Sequence, residues 1–166
     1  MASSPGYAAL HQDNNSINRA RAVSMNERHF QMRLNGRYQE PENSIASLRV
    51  EIFGEEDWQV FDLNSGSAGF LIFVYSILNC QHMYMRLNCA ERGLLLESAE
   101  GYIHVTTTED WVVSDLRVEL TAKLRSGSPT QSDLDYIVER MENCPVSRNL
   151  NYKASGHTRL VLVPAD

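Results

Sequence analysis

Two cysteines hold most of the chemistry in this chain. Cys80 sits in the middle of an apolar, helix-like run, and Cys144 stands directly before a proline in Glu142-Asn143-Cys144-Pro145-Val146-Ser147-Arg148-Asn149-Leu150. A thiol inside a hydrophobic helix, with a second thiol at a helix break, suits thiol-based peroxide reduction, in which one sulfur attacks and the other resolves. The competing reading is plain packing, because free cysteine is among the most buried residue types.

The neighbourhood of Cys80 follows from helical spacing. Residues three, four and seven places away share its face, namely Phe73, Ser76, Ile77, Met83, Tyr84 and Leu87, so the thiol is expected in an apolar, aromatic pocket. Ser76 and Tyr84 bring hydroxyls within one turn, able to bond a thiolate or a peroxide oxygen. His82, two positions along, falls about 200° around the helix and does not face the thiol. Cys89 lies nine residues on, half a turn out of phase and roughly 13 Å along the axis, so it does not bridge to Cys80 within one helix.

Cys144 gains interest from Pro145. Proline fits the first helical position, so Cys144 can cap a short turn through Leu150, where unpaired amides and the helix dipole favour a thiolate. Arg148, one turn on, adds positive charge. An ordinary helix stop with a space-filling cysteine explains the local sequence equally well.

The elements that must position these thiols can be read from the pattern of apolar residues. Residues 1–28 form a polar leader, expected to be mobile, and residues 29–166 a single domain. Phe30, Met32 and Leu34 alternate as a strand, followed by a turn at Asn35-Gly36. Further strands are expected at Ile45 to Phe53 and Asp57 to Leu63. Ser65 or Ser67 should cap a long helix from about Ala68 to Arg92, closed by Gly93. Leu94 to Thr108 and Trp111 to Arg125 read as a hairpin around Glu109-Asp110. Thr130 to Asn143 reads as a helix ended by Pro145, and His157 to Pro164 as a last strand. The order is β-β-β-α-β-β-α-β, an α+β plan with a mainly antiparallel sheet.

Composition sets the frame. The 166 residues are 43% hydrophobic with a formal net charge of −6, enough for one core and the wrong sign for a nucleic-acid or anionic-membrane surface. The longest apolar stretch, Ala68 to Leu78, is well short of the roughly 20 residues that span a bilayer. The leader lacks a signal-peptide core, so a cytoplasmic protein is expected. Three cysteines in a reducing compartment point to free, catalytic or metal-binding thiols rather than a structural disulfide framework. No short-spaced Cys/His pair suggests a metal, and no cofactor is expected.

The run Tyr75-Ser76-Ile77-Leu78-Asn79-Cys80, followed by Cys89-Ala90-Glu91-Arg92-Gly93-Leu94, resembles the central helix of the OsmC/Ohr family of osmotically inducible and organic hydroperoxide resistance proteins. Cys144-Pro145-Val146-Ser147-Arg148 is similar to that family's second-cysteine motif. The resemblance spans about Ser65 to the C-terminus. It implies an OsmC-like fold built as an intertwined homodimer with sites at the subunit interface. It also implies a peroxidase in which Cys80 attacks an organic hydroperoxide and its sulfenic acid condenses with Cys144. An external dithiol, lipoyl-type in relatives, would then reduce the Cys80–Cys144 disulfide.

The chain departs from the family at its activating pair. The glutamate expected ten residues before the reactive cysteine is Phe70, preceded by Ser67-Ala68-Gly69, and the strand Trp58-Gln59-Val60-Phe61-Asp62-Leu63 holds no arginine. Arg33, Arg37, Arg49 and Arg148 are the available substitute cations, while Glu55, Glu56 and Asp57 read as a solvated turn. The alternative function is an OsmC-like protein that binds a small apolar ligand in the Phe73, Met83 and Tyr84 pocket without turnover.

Overall fold

The computed structural model describes residues 27–150 and 155–165; the greater part of the leader, residues 1–26, lies outside the described residues. The elements are β1 (Arg28–Gln39), β2 (Ser44–Phe53), β3 (Trp58–Val60), α1 (Gly69–Glu91), β4 (Leu95–Thr107), β5 (Val113–Ser126), α2 (Gln131–Glu142), α3 (Pro145–Arg148) and β6 (Ser155–Val163). The expected α+β order is present, with α3 added after the second helix.

The six strands form one sheet in the order β3-β2-β1-β4-β5-β6. Every pairing is antiparallel except β5 with β6, which run parallel. A parallel partner cannot be reached by a hairpin, and the crossover is supplied by α2 and α3. Alternation then sorts the side chains. Met32 and Leu34 of β1, Ile103 and Val105 of β4, and Leu116, Val118, Leu120 and Leu124 of β5 are buried on one face. Against them lie Val74, Ile77, Leu78, Met85 and Cys89 of α1 and Ile137 and Met141 of α2. The helices therefore cover one face of the sheet.

Neighbouring strands approach closely at Gly101. A Cβ there would clash with Leu120 Cδ2 of β5 and lie 2.9 Å from Leu34 Cγ of β1, so the strands interlock over a residue with no side chain. The Gly101→Ala substitution is expected to destabilise the fold by about 1–3 kcal/mol through overpacking, read as a lower urea midpoint with an unchanged m-value.

Three local expectations differ from the structure. Asn35-Gly36 makes no turn, since β1 continues through Gln39 and both residues pair with β2 and β4. Gly36 serves close packing instead, because a Cβ there would lie 2.8 Å from the Tyr38 hydroxyl. The turn comes later, where Glu42 and Asn43 take φ of 57° and 54°. Neither Ser65 nor Ser67 caps α1. The Ser67 hydroxyl accepts the Asn64 amide at 3.0 Å, closing its own turn, and the N-cap is Ala68 without a side-chain bond. The strand expected over Asp57 to Leu63 is only three residues long. At the other end of α1 Gly93 behaves as expected, with φ +71°. The Leu94 amide donates to the Cys89 carbonyl and the Gly93 amide to that of Ala90.

Candidate functional site

The two thiols arrive from different elements. α1 carries Cys80 to the helix surface nearest α3, leaving it 8% exposed. Cys144 is the N-cap of α3, with Pro145 at the first helical position, and is fully buried. Across 63 intervening residues, the fold brings the two side chains close enough for the Cys144 thiol to act on the titration of Cys80. The Val146 backbone N–H acts on the Cys80 sulfur as well. Burial pushes the Cys80 thiol up to about 11, the Cys144 sulfur acts in the same direction, and the Val146 amide partly offsets both.

A hydrogen-bond relay fixes the second sulfur. The Ser147 backbone N–H donates to Cys144 Sγ at 3.4 Å, and the Ser147 hydroxyl bonds the same sulfur at 3.3 Å. Gln81, buried beside Cys80 in the sequence, donates from Nε2 to the Ser147 hydroxyl at 3.2 Å. Its carbonyl oxygen accepts from Thr158 on β6 at 3.2 Å. Thus α1, α3 and β6 meet at the thiols. Sequence spacing missed Gln81 and Thr158. The available signals were a polar residue inside the apolar helix and the serine of the Cys-Pro-Val-Ser motif.

The remaining expected site residues are spread around α1. Phe73 and Tyr84 are half-buried, while Met83 and Leu87 are 38% and 46% exposed. The Ser76 hydroxyl donates to the Phe73 carbonyl at 2.7 Å, leaving its lone pairs available as acceptors. Cys89 lies in the core, where burial pushes its thiol up to about 12.

Among the described residues, burial, Cys144 and Val146 are what perturb the Cys80 sulfur, and no cation is among them. Arg148 is exposed on α3. Arg33 and Arg49 both bind Glu51, at 2.6 and 2.8 Å, on the sheet face opposite the helices, since Met32 and Leu34 point to the core on either side of Arg33. Arg37 projects from the same strand with the same parity. Phe70, at the position of the family's glutamate, packs against Phe30, Phe73 and Trp111 with ring centroids 4.6, 5.4 and 5.4 Å apart. An aromatic cluster occupies the place where an activating carboxylate is expected. The Glu55, Glu56, Asp57 segment is an exposed turn closed by the Gly54 amide on the Asp57 carbonyl.

Among the described residues, no group of three His, Cys, Asp or Glu side chains is arranged to hold a metal. No helix there is long and apolar enough to cross a membrane. A second buried polar pair lies on the sheet side of α1, where Tyr38 and His82 Nε2 are 2.7 Å apart.

No family model matches the chain, and no curated protein matches it. Among solved structures, a structural-genomics protein aligns with a TM-score of 0.50 and 11% identity over 80% of this chain and 98% of its own. An OsmC-like hydroperoxide resistance protein from Jannaschia sp. CCS1 aligns at 0.49 and 12%, covering 76% and 89%. An OsmC-like protein from Mycoplasma pneumoniae aligns at 0.45 and 6%, covering 71% and 89%. At these identities the likeness is one of fold alone.

Proposed function

We propose that this chain is a thiol peroxidase of the OsmC/Ohr type that reduces organic hydroperoxides. The observation that supports the reading is the convergence of Cys80 and Cys144 from α1 and α3, close enough for one thiol to act on the other. The Cys80 thiolate attacks the terminal peroxide oxygen, the O–O bond breaks, and the alkoxide leaves as an alcohol after taking a proton. Cys80 is then a sulfenic acid. The Cys144 sulfur attacks it, an S–S bond forms and water departs. An external dithiol returns both thiols by disulfide exchange, becoming oxidised itself. The apolar residues around Cys80 select an organic substrate over hydrogen peroxide.

Cys80 is the attacking sulfur in this scheme because it is the more accessible of the pair. The Ser147 amide and hydroxyl hold Cys144 in place for the second step. Ile72, Met83 and Leu87 leave an exposed apolar stripe along the same side of α1 as Cys80, which supports a homodimer that covers the site with a second α1.

The test is consumption of cumene hydroperoxide with dihydrolipoamide as reductant. The native chain should turn over and Cys80→Ser should fall to background. A Cys80→Ser protein that keeps its activity removes the reading. The Phe70 cluster favours a second reading, a protein that binds a small apolar ligand without turnover. In that case neither form consumes peroxide, and both bind the ligand equally.

A second consequence follows from the raised thiol. With the Cys80 thiol at about 11, the thiolate fraction near neutrality is roughly one in 10,000 and grows about tenfold per pH unit. The rate of Cys80 oxidation by cumene hydroperoxide, followed by stopped flow, is therefore expected to rise about tenfold per unit between pH 7 and 9. A plateau by pH 7 would show that the thiol is already ionised.

A further inference from the structure

The uncovered face of the sheet carries a group of donor atoms unrelated to the thiols. His29 on β1 and His104 on β4 are 75 residues apart in sequence, yet His29 Nδ1 and His104 Nε2 approach to 3.4 Å. The Thr106 hydroxyl completes the group, 3.2 Å from His29 Nδ1 and 3.4 Å from His104 Nε2. Cross-strand register enforces this. His29 pairs directly with Thr106, and His104 lies two residues before Thr106 on the same side of β4. Phe30, Ile103 and Val105, the intervening residues, turn to the core.

Three donor atoms thus form a nearly equilateral triangle with edges of 3.2, 3.4 and 3.4 Å. A tetrahedral zinc ion with bonds of about 2.0–2.1 Å separates its donors by about 3.3–3.4 Å. We propose that His29, His104 and Thr106 form a binding site for a first-row divalent cation of the zinc class, with solvent in the fourth position.

The surroundings suit such an ion. Thr106 is buried, His104 is half-buried and His29 is exposed at the sheet surface, so water reaches the triangle from one side. Asp115 and Arg117 are the charged groups nearest His104, and their 3.0 Å ion pair offsets the positive charge of the arginine. Two imidazoles favour zinc, nickel or copper over magnesium or calcium, which prefer oxygen donors.

The experiment is calorimetric titration of the metal-free full chain with Zn²⁺ alone, using Mg²⁺ as the contrast. One equivalent of zinc should bind and magnesium should not. His29→Gln and His104→Gln should each weaken zinc binding at least about tenfold. Thr106→Val, which keeps both imidazoles, should also weaken it. Circular dichroism establishes that each variant is folded. Co²⁺ should give visible bands of nitrogen and oxygen coordination without a sulfur charge-transfer band. The proposal is overturned by absent uptake, by affinity unchanged in the histidine or threonine variants, or by a sulfur-to-cobalt band that marks the cysteines as the ligands.

Discussion

Replacing Cys144 with serine is expected to stop the cycle after its first step. One equivalent of cumene hydroperoxide should convert Cys80 to a sulfenic acid that dimedone traps, because the oxidation itself requires only Cys80 and the peroxide. Steady turnover with dihydrolipoamide should fall about tenfold or more, since the sulfenic acid loses its neighbouring thiol and waits for an external one. Serine suits the test. It keeps the N-cap position of α3, accepting the Ser147 amide as Cys144 does, so α3 and the Val146 amide beneath Cys80 stay in place. Mass spectrometry of the dimedone adduct and the steady-state rate are the two readouts. Full turnover in Cys144→Ser would show that resolution does not use this sulfur.

The second large effect concerns stability and pH, and it centres on His82. This side chain is 1% exposed, bonded through Nε2 to the Tyr38 hydroxyl at 2.7 Å, with Nδ1 buried and unpartnered. Burial, with the Arg86 guanidinium nearby, lowers its titration from 6.5 to about 4. The folded protein therefore binds fewer protons than the unfolded chain between these values, so stability falls as pH falls from 6.5 towards 4. The full contribution is present above 6.5. At about 1.4 kcal/mol per unit, lowering the pH from 7.5 to 4 should cost roughly 3 kcal/mol at this residue alone. His82→Gln keeps a polar group near Tyr38 and cannot charge. Urea unfolding at both pH values should show a smaller loss in His82→Gln than in the native chain, by roughly that amount. Equal losses would mean that His82 titrates normally.

Much of the fold is legible in the sequence where the signal is local. Alternation along Leu116, Val118, Leu120, Ala122 and Leu124 marks β5, and its partner β4 follows from the same period of two. The long apolar run and Gly93 bound α1 to within a residue or two. Cys144 followed by Pro145 announces the short helix that it caps. Asn35-Gly36 misleads because its turn chemistry is real but tertiary packing overrides it, Gly36 being selected to leave room for Tyr38. Ser67 misleads for a similar reason, its hydroxyl being committed to the preceding turn.

The candidate site is legible in part. The two thiols stand out because proline and helical spacing are local features, whereas their meeting depends on how α3 docks against α1. Gln81 and Thr158 are 77 residues apart, and no local pattern joins them. The same holds for His29 and His104, which come together only through the β1–β4 register. Phe70 carries the converse lesson. Phe70 stands where the resemblance implies a carboxylate, and the structure shows an aromatic cluster with Phe30 and Trp111 at that end of α1. The two thiols are thus present without the charged pair that the resemblance implies.

The most direct test treats the native chain with one equivalent of cumene hydroperoxide, followed by non-reducing peptide mapping by mass spectrometry. The account predicts a peptide pair joined through Cys80 and Cys144 within minutes, with Cys89 still reduced. Cysteines left as free thiols, or a disulfide that involves Cys89, would contradict it.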